Sequence, residues 1–176
     1  MTTRYILGID PGLSGALAVV ETATEQLVEV FRMPVSVVSK QNKLNGAALA
    51  DWLYRYWIGP LKDHKHIHFA YIEEVHSRPR QAGQFQFGLN TGIVHGMLYA
   101  NFVPFTTVAP AKWKGHFGIK RTGEETKADK KTEARELATK LWPSMAHEFK
   151  RVKDDGVAEA ALIALYGAQQ QRKETT

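Results

Sequence analysis

The stretch from Tyr5 to Val20 constrains the fold of this chain more than any other part of the sequence. It consists of two apolar runs, and the first ends at Asp10 before a turn made by Pro-Gly and Ser-Gly. Two short β-rich runs joined by glycines are typical of a hairpin. Because strand side chains alternate, Ile6, Gly8 and Asp10 are predicted to share one face. Asp10 either caps the turn or joins other charged groups in a site, since an unpaired buried carboxylate is costly.

Composition predicts one domain and a polyanionic partner. A chain of 176 residues with 44% hydrophobic residues is large enough to bury one core, which we expect to span residues 1–176. The sequence has no apolar run of about 18 residues and no leader-like start, so we expect a cytoplasmic protein without membrane contact. The absence of cysteine excludes disulfides, thiolate zinc sites and cysteine nucleophiles. The net charge of +5 weakly favours nucleic acid as a partner.

The rest of the sequence predicts alternating strands and helices. Periodicity indicates a third strand ending before Pro34, a helix capped by Asn45, and a short helix that begins at Pro110. Two segments are predicted as irregular, namely Ser36–Asn42 as a loop and Gly167–Thr176 as a frayed tail. The remaining predicted elements are strands at Phe69–Val75 and Phe102–Val108 and helices at Gln86–Asn101, Lys131–Leu141 and Lys153–Tyr166.

Further acids follow the pattern of Asp10. Glu73 and Glu74 end the fourth predicted strand and face opposite sides, so only one of them can lie beside Asp10. Asp155 and Glu159 are four residues apart on the last helix, where they share a face. Acids at the ends of strands one and four and on a final helix are typical of a ribonuclease H-like fold. We therefore predict an α/β fold with a five-stranded mixed sheet flanked by helices.

Four acids at one sheet edge predict a metal site. In an α/β sheet, sites form at the carboxyl ends of the central strands, and a helix across that edge can bring Asp155 and Glu159 to Asp10 and Glu73. Four carboxylates remain ionised together only with cations between them. Two Mg²⁺ ions, which Mn²⁺ can replace, would satisfy them and would support hydrolysis of a phosphodiester.

Positive charge is concentrated in the second half of the chain. Residues 112–153 contain twelve Lys and Arg against six Asp and Glu, which predicts a phosphate-binding surface. Arginines beside aromatic residues after the fourth strand are suited to hold phosphates and to stack on unpaired bases, although Phe85 can equally begin a core helix. The predicted DNA-binding residues are Arg78, Arg80, Phe85, Phe87, Lys112, Lys114, Lys120, Arg121, Lys127 and Lys130.

Three glycines recur at every fourth position of the predicted helix Gln86–Asn101. Gly88, Gly92 and Gly96 each lower helix stability by about 1 kcal/mol relative to alanine. A compensating benefit is close approach of the helix, either to the sheet or to a second copy of the chain.

Three motifs in order resemble those of RuvC-type Holliday junction resolvases and their phage-borne relatives. They are Ile6 to Gly12, Ile72 to Val75, and Asp155 to Ala164, and the resemblance extends over most of the domain. The resemblance implies a homodimeric, Mg²⁺-dependent endodeoxyribonuclease that binds a four-way DNA junction and nicks two opposed strands symmetrically.

The resemblance also implies roles for individual residues. Asp10 corresponds to the metal-bridging acid, Glu73 to the second ligand, and Glu159 to the aspartate before an Ala-Leu-rich helix. Lys131 resembles the basic residue near the scissile phosphate. The last two acids of the family are usually three residues apart, and here Gly156 occupies the corresponding position. The fourth ligand is therefore open between Asp154 and Asp155, and our prediction takes Asp155.

Other functions share parts of this pattern. A ribonuclease H acting on RNA–DNA hybrids, or a broader nuclease for forks, flaps and D-loops, would use the same metal chemistry. A non-catalytic DNA-binding protein is disfavoured, because carboxylates near phosphates weaken binding without metals. An ATPase of the actin or sugar-kinase type is disfavoured by length, since that fold needs two such domains.

Overall fold

The computed structural model describes residues 3–58, 66–74, 84–119 and 127–175. Five strands come first, and two further strands lie among the helices, with a π-helical turn at Tyr54–Ile58 and 3₁₀ turns at Pro143–Phe149 and Val152–Asp154. The strands are β1 (Tyr5–Asp10), β2 (Ala16–Glu21), β3 (Leu27–Arg32), β4 (Val35–Val38), β5 (Gln41–Leu44), β6 (Ile67–Glu73) and β7 (Phe105–Val108). The α-helices are α1 (Gly46–Leu53), α2 (Gln84–Ala100), α3 (Pro110–His116), α4 (Lys127–Leu141) and α5 (Asp155–Thr175).

Five strands form one mixed sheet in the order β3-β2-β1-β6-β7. β2 is antiparallel to both β1 and β3, whereas β6 is parallel to both β1 and β7. Strands β1, β3, β6 and β7 therefore end at the same edge of the sheet. Asp10 and Glu73 are the last residues of two neighbouring strands there. We call this side of the sheet the carboxylate edge.

Alternation along β1 divides the core between the two faces of the sheet. Ile6 packs with the apolar residues of α3, α4 and α5, whereas Leu7 and Ile9 pack with those of α1 and α2. Helix α5 is buried along most of its length, with alanines and aliphatic residues on all sides. A helix that is apolar all round is expected between two layers, and α5 lies between the sheet and α4.

The predicted fold class is confirmed. The mixed five-stranded sheet, the hairpin at the start of the chain and the Asn45 cap, which accepts a hydrogen bond from Ala48 N, are all present. None of the described helices has the length and apolar character needed to cross a membrane.

Two predictions of irregular structure are wrong. The predicted loop Ser36–Asn42 contains the paired strands β4 and β5, and α5 continues through Thr175. Arg172 on this last part of α5 pairs with Glu25 at 2.7 Å, and Ala168 is buried. These contacts with residues distant in sequence stabilise a segment that looks polar and frayed when read locally.

Candidate active site

The turn after β1 fixes the carboxylate of Asp10. Gly12 N donates to Asp10 Oδ1 at 3.0 Å, and Gly15 N closes the turn on Gly12 O at 2.9 Å. A Cβ atom on Gly15 would lie 2.7 Å from Asp10 Cγ, so only glycine allows the turn to fold back against this side chain. Asp10 therefore both caps the turn and presents a half-buried carboxylate at the carboxylate edge.

Glu73 lies beside Asp10 because β1 and β6 are parallel and in register. Ile9 is the partner of Ile72, so the next residue of each strand is an acid. Burial and, after it, the negative charges of Glu159 and Asp10 raise the pKa of Glu73 to about 7, against the opposing effects of Lys114 and Trp113. Glu73 is thus close enough to both other carboxylates to be affected by their charges.

Helix α5 brings Glu159 to this edge by packing unusually close to β1. A Cβ atom on Gly8 would lie 2.2 Å from the backbone oxygen of Ala160 and 2.3 Å from the nitrogen of Ala164. Only glycine permits this separation. Because Glu159 directly precedes Ala160, the close packing of helix on strand sets the distance between Glu159 and the two strand acids. We refer to Asp10, Glu73 and Glu159 as the carboxylate cluster.

Helix α3 supplies two partners of the carboxylate cluster. Trp113, which is fully buried, donates from Nε1 to Glu73 Oε1 at 3.1 Å. Lys114 Nζ lies 2.7 Å from Glu159 Oε1 and 4.9 Å from the centre of the Trp113 ring. Lys114 was predicted to bind DNA, and no role was predicted for Trp113. The feature that points to Trp113 is that α3 follows β7, and β7 ends at the same edge of the sheet as β6.

The acids at the start of α5 have other partners. Asp155 Oδ1 lies 3.0 Å from Arg135 Nε of α4. Burial alone would raise the pKa of Asp154, but hydrogen bonds from Arg151 and Arg32 lower it to about 2. The position facing Asp10 is Gly156, where a Cβ atom would lie 2.9 Å from Asp10 Oδ2. Gly156 thus lies against Asp10 and the turn after β1 but has no side chain.

The chemistry of the carboxylate cluster fits a hard divalent cation. Carboxylate oxygens are the preferred ligands of Mg²⁺, and a cation would relieve the repulsion that raises the pKa of Glu73. Among the described residues, no three acids or histidines are already at ligating distances. Glu159 instead contacts Lys114, whose ammonium provides the positive charge near the cluster.

The other predicted DNA-binding residues have diverse positions. Arg78, Arg80, Lys120 and Arg121 lie outside the described residues, as do the side chains of Lys127, Lys130 and Lys131, whose backbones form the start of α4. Phe85 is 84% exposed at the start of α2, so it does not begin a core face. Phe87 and Lys112 are also exposed.

Comparison with known proteins gives structural neighbours only. No family model and no curated protein sequence matches the chain. RuvC of Thermus thermophilus superposes with a TM-score of 0.64 at 20% identity, covering 97% of both chains. The same protein in complex with a Holliday junction substrate gives 0.62 at 18% identity and the same coverage.

A eukaryotic protein shares the architecture as well. Ydc2, the yeast mitochondrial Holliday junction resolvase, gives a TM-score of 0.53 at 17% identity over 96% of this chain and 79% of its own. At these identities the likeness establishes the fold. The chain therefore has the ribonuclease H-like fold of the RuvC-type resolvases, the family that its three motifs resemble.

Proposed function

We propose that this chain is a structure-selective endonuclease that resolves four-way DNA junctions by metal-dependent hydrolysis of phosphodiester bonds. The observation that carries the proposal is the convergence of Asp10, Glu73 and Glu159 at one edge of a RuvC-type fold. The junction as substrate is further supported by the junction-bound structural neighbour.

The carboxylate cluster would hold the metal. Asp10 is fixed by its turn, Glu73 by Trp113, and Glu159 by the close packing of α5 on β1. Mg²⁺ bound there would activate water and stabilise the leaving 3′ oxygen. The protein's own contribution is to hold three oxygen donors on rigid elements, so that little reorganisation accompanies binding. Lys114 would have to release Glu159 and would then be available to contact a phosphate.

Asp155 is assigned a different role from the one predicted. Its ion pair with Arg135 supports a positioning role, in which it links α4 to the first turn of α5. Gly156 packs tightly against the turn after β1, where a Cβ atom would lie 2.4 Å from Ser14 O, so no side chain fits at the position where the resembled family has an acid. We therefore assign the metal to three carboxylates, with Asp155 outside the set that contacts the ion.

A homodimer is supported by the exposed face of α2. Gly88, Gly92 and Gly96 have open space where a Cβ atom would lie, so close approach to the sheet is not their role. Helical spacing aligns these glycines with Phe85 and with Tyr99, which is 69% exposed. A second copy of α2 fits this face, and two-fold symmetry suits a junction with two opposed scissile strands.

The dimer is tested by the mass of the protein in solution. Gly92→Glu is expected to give a monomer with normal thermal unfolding, because its side chain enters open space in the monomer. Gly115→Glu, at another open position, should leave the mass at that of a dimer. A wild-type chain that is monomeric at micromolar concentration would contradict this part of the proposal.

The test of the function is strand cleavage of a synthetic four-way junction with Mg²⁺. Linear duplex, a fork, a flap and an RNA–DNA hybrid serve as competing substrates, and Asp10→Asn as the inactive control. Paired symmetric nicks on the junction alone, lost in the variant while binding persists, are the expected result. Equal cleavage of forks and flaps would indicate a general branch nuclease, and cleavage of the hybrid alone would indicate a ribonuclease H.

A further inference from the structure

From the position and surface of strands β4 and β5, we infer that residues Val35–Leu44, the β4–β5 hairpin, form a protein arm. This arm contacts the phosphate backbone of one duplex of the junction, beside the scissile phosphate. This inference rests on the proposed function for the identity of the DNA. It concerns a segment that the sequence analysis treated as a loop.

The hairpin begins at the carboxylate edge. In the sheet register, Asp10 is the partner of Ala16, and Ala16 is the partner of Arg32, so these residues form one row across three strands. With about 4.8 Å between strands, Arg32 lies roughly 10 Å from Asp10 along this row. Only Met33 and Pro34 separate Arg32 from the hairpin. The arm therefore begins next to the site where we expect hydrolysis.

The base of the hairpin is anchored rather than loose. Met33 N donates to Gly15 O at 3.0 Å, and Gly15 packs against Asp10. Asn45 N donates to Pro34 O at 2.8 Å, and Asn45 Nδ2 donates to Ser36 Oγ at 3.0 Å. The same Asn45 caps α1, so one residue joins the hairpin to the helix behind it. This anchoring fixes the direction of the arm relative to the carboxylate cluster.

Beyond its base, much of the hairpin surface is exposed in the described part of the chain. Val37 is 73% exposed and Val38 is exposed too, although adjacent strand residues face opposite sides. A two-stranded hairpin alone is marginally stable in water, and exposed β-branched strands invite pairing with other chains. Such an arrangement is expected where a partner covers the strands.

The charge of the arm identifies DNA as that partner. Residues 34–50 contain two lysines and no acid. Lys40 is exposed at the tip, and Lys43 is half-buried on β5. Four strand residues extend about 13 Å, so the tip lies roughly that far from the base of the hairpin. A two-stranded ribbon of this kind fits the major groove of a duplex, with its lysines against phosphates.

The conformation of the turn presents Lys40 outward. Ser39 and Lys40 have φ angles of 50° and 64°, in the left-handed region that non-glycine residues seldom adopt. Two such residues are typical of a type I′ turn, for which Asn-Gly is the favoured sequence. Here the turn carries a serine and a lysine instead, so a charged side chain stands at the tip where glycine would be more stable.

The first experiment measures junction binding as a function of salt, in an Asp10→Asn background so that the DNA stays intact. Lys40→Gln combined with Lys43→Gln should reduce the magnitude of the negative slope of log K against log[salt] by about 2, at about 0.9 per phosphate contact. Lys173→Gln is the matched control, since Lys173 is exposed at the far end of α5. It should leave the slope unchanged.

A second variant separates contact with DNA from the stability of the hairpin. Ser39→Asn combined with Lys40→Gly keeps and strengthens the turn but removes the lysine at the tip. It should lower the salt slope by about 1 without lowering the unfolding temperature. A slope equal to that of the unaltered hairpin would overturn the inference, because the hairpin would then act only in folding.

Cross-linking gives direct evidence of contact. Since the chain has no cysteine, Lys40→Cys provides a unique attachment point for a photoactivated cross-linker, and Lys173→Cys provides the control. We expect cross-links from position 40 to nucleotides within a few base pairs of the branch point, and none from position 173.

The two proposals fail in different ways. A chain that cleaves junctions but shows unchanged slopes and no cross-link from position 40 overturns the role of the hairpin alone. If the chain binds junctions without cleaving them, the proposed reaction is refuted. The salt slope and the cross-link from position 40 then still test the role of the hairpin. A chain that binds no DNA overturns both.

Discussion

Replacing Gly8 by alanine tests the packing that sets the geometry of the carboxylate cluster. The new Cβ atom would lie 2.2 Å from Ala160 O and 2.3 Å from Ala164 N, both of them backbone atoms of α5. To restore contacts above 3.0 Å, the helix must move away from β1 by roughly 1 Å. Overpacking of this kind costs about 1–3 kcal/mol, and the lower entropy of the unfolded alanine chain offsets about 0.4–1 kcal/mol of it.

The expected result has two parts. The net cost of roughly 0–2.6 kcal/mol should lower the unfolding temperature by up to about 10 °C, at about 2–4 °C per kcal/mol for a chain of this size. Cleavage of the junction should fall by about 100-fold, because Glu159 moves with α5 and a displacement of about 1 Å in a catalytic group has this effect. Differential scanning calorimetry and a single-turnover cleavage assay measure the two quantities.

A matched control separates steric overlap from a general effect of alanine. Gly115 on α3 has open space at its Cβ position, so Gly115→Ala should retain or raise the unfolding temperature. If Gly8→Ala had wild-type stability and wild-type cleavage, the argument that α5 is held at this distance by the missing side chain would be refuted.

Three further predictions concern charge. Because the pKa of Glu73 is raised, its contribution to the free energy of unfolding of the metal-free protein is largest below pH 4.5 and falls by up to about 3 kcal/mol as the pH rises through 7. Glu73→Gln should flatten this part of a plot of stability against pH, and an unchanged plot would contradict the prediction. Lys114→Met should tighten Mn²⁺ binding about 2- to 5-fold by calorimetry, since the ion no longer competes with an ammonium for Glu159; weaker binding would show that Lys114 supports the ion. Asp154→Asn should lower the free energy of unfolding at pH 7 by about 1–2 kcal/mol, because the lowered pKa keeps the wild-type carboxylate ionised above about pH 2. The difference between the two proteins should vanish below that pH, and equal urea midpoints at pH 7 would contradict this prediction.

The sequence was sufficient to predict the sheet and the end of the strand on which Asp10 lies. Alternation placed Asp10 on a defined face but left the choice between Glu73 and Glu74 open, and the resemblance to the RuvC-type resolvases selected Glu73. Glu159 was predicted together with Asp155 from their shared face on the last helix, and the resemblance supported it. These inferences succeed because strand ends and helix faces are local properties of the chain.

The remaining features depend on contacts that are distant in sequence. Nothing local distinguishes Asp155 from Glu159, and it is Arg135 on another helix that pairs with Asp155. Trp113 reaches Glu73 only because β7 lies next to β6. The β4–β5 hairpin was missed because its turn has neither Asn nor Gly, so the usual hairpin signal is absent.

The proposed reaction depends most directly on one metal site made by three carboxylates. Calorimetric titration of Mn²⁺ into the metal-free protein should show saturable binding that is abolished by Asp10→Asn and by Glu159→Gln. Asp155→Asn, which removes the same charge from an acid one helical turn away, should retain binding. Loss of binding in Asp155→Asn, or saturable binding that survives Asp10→Asn, would contradict the assignment of the site.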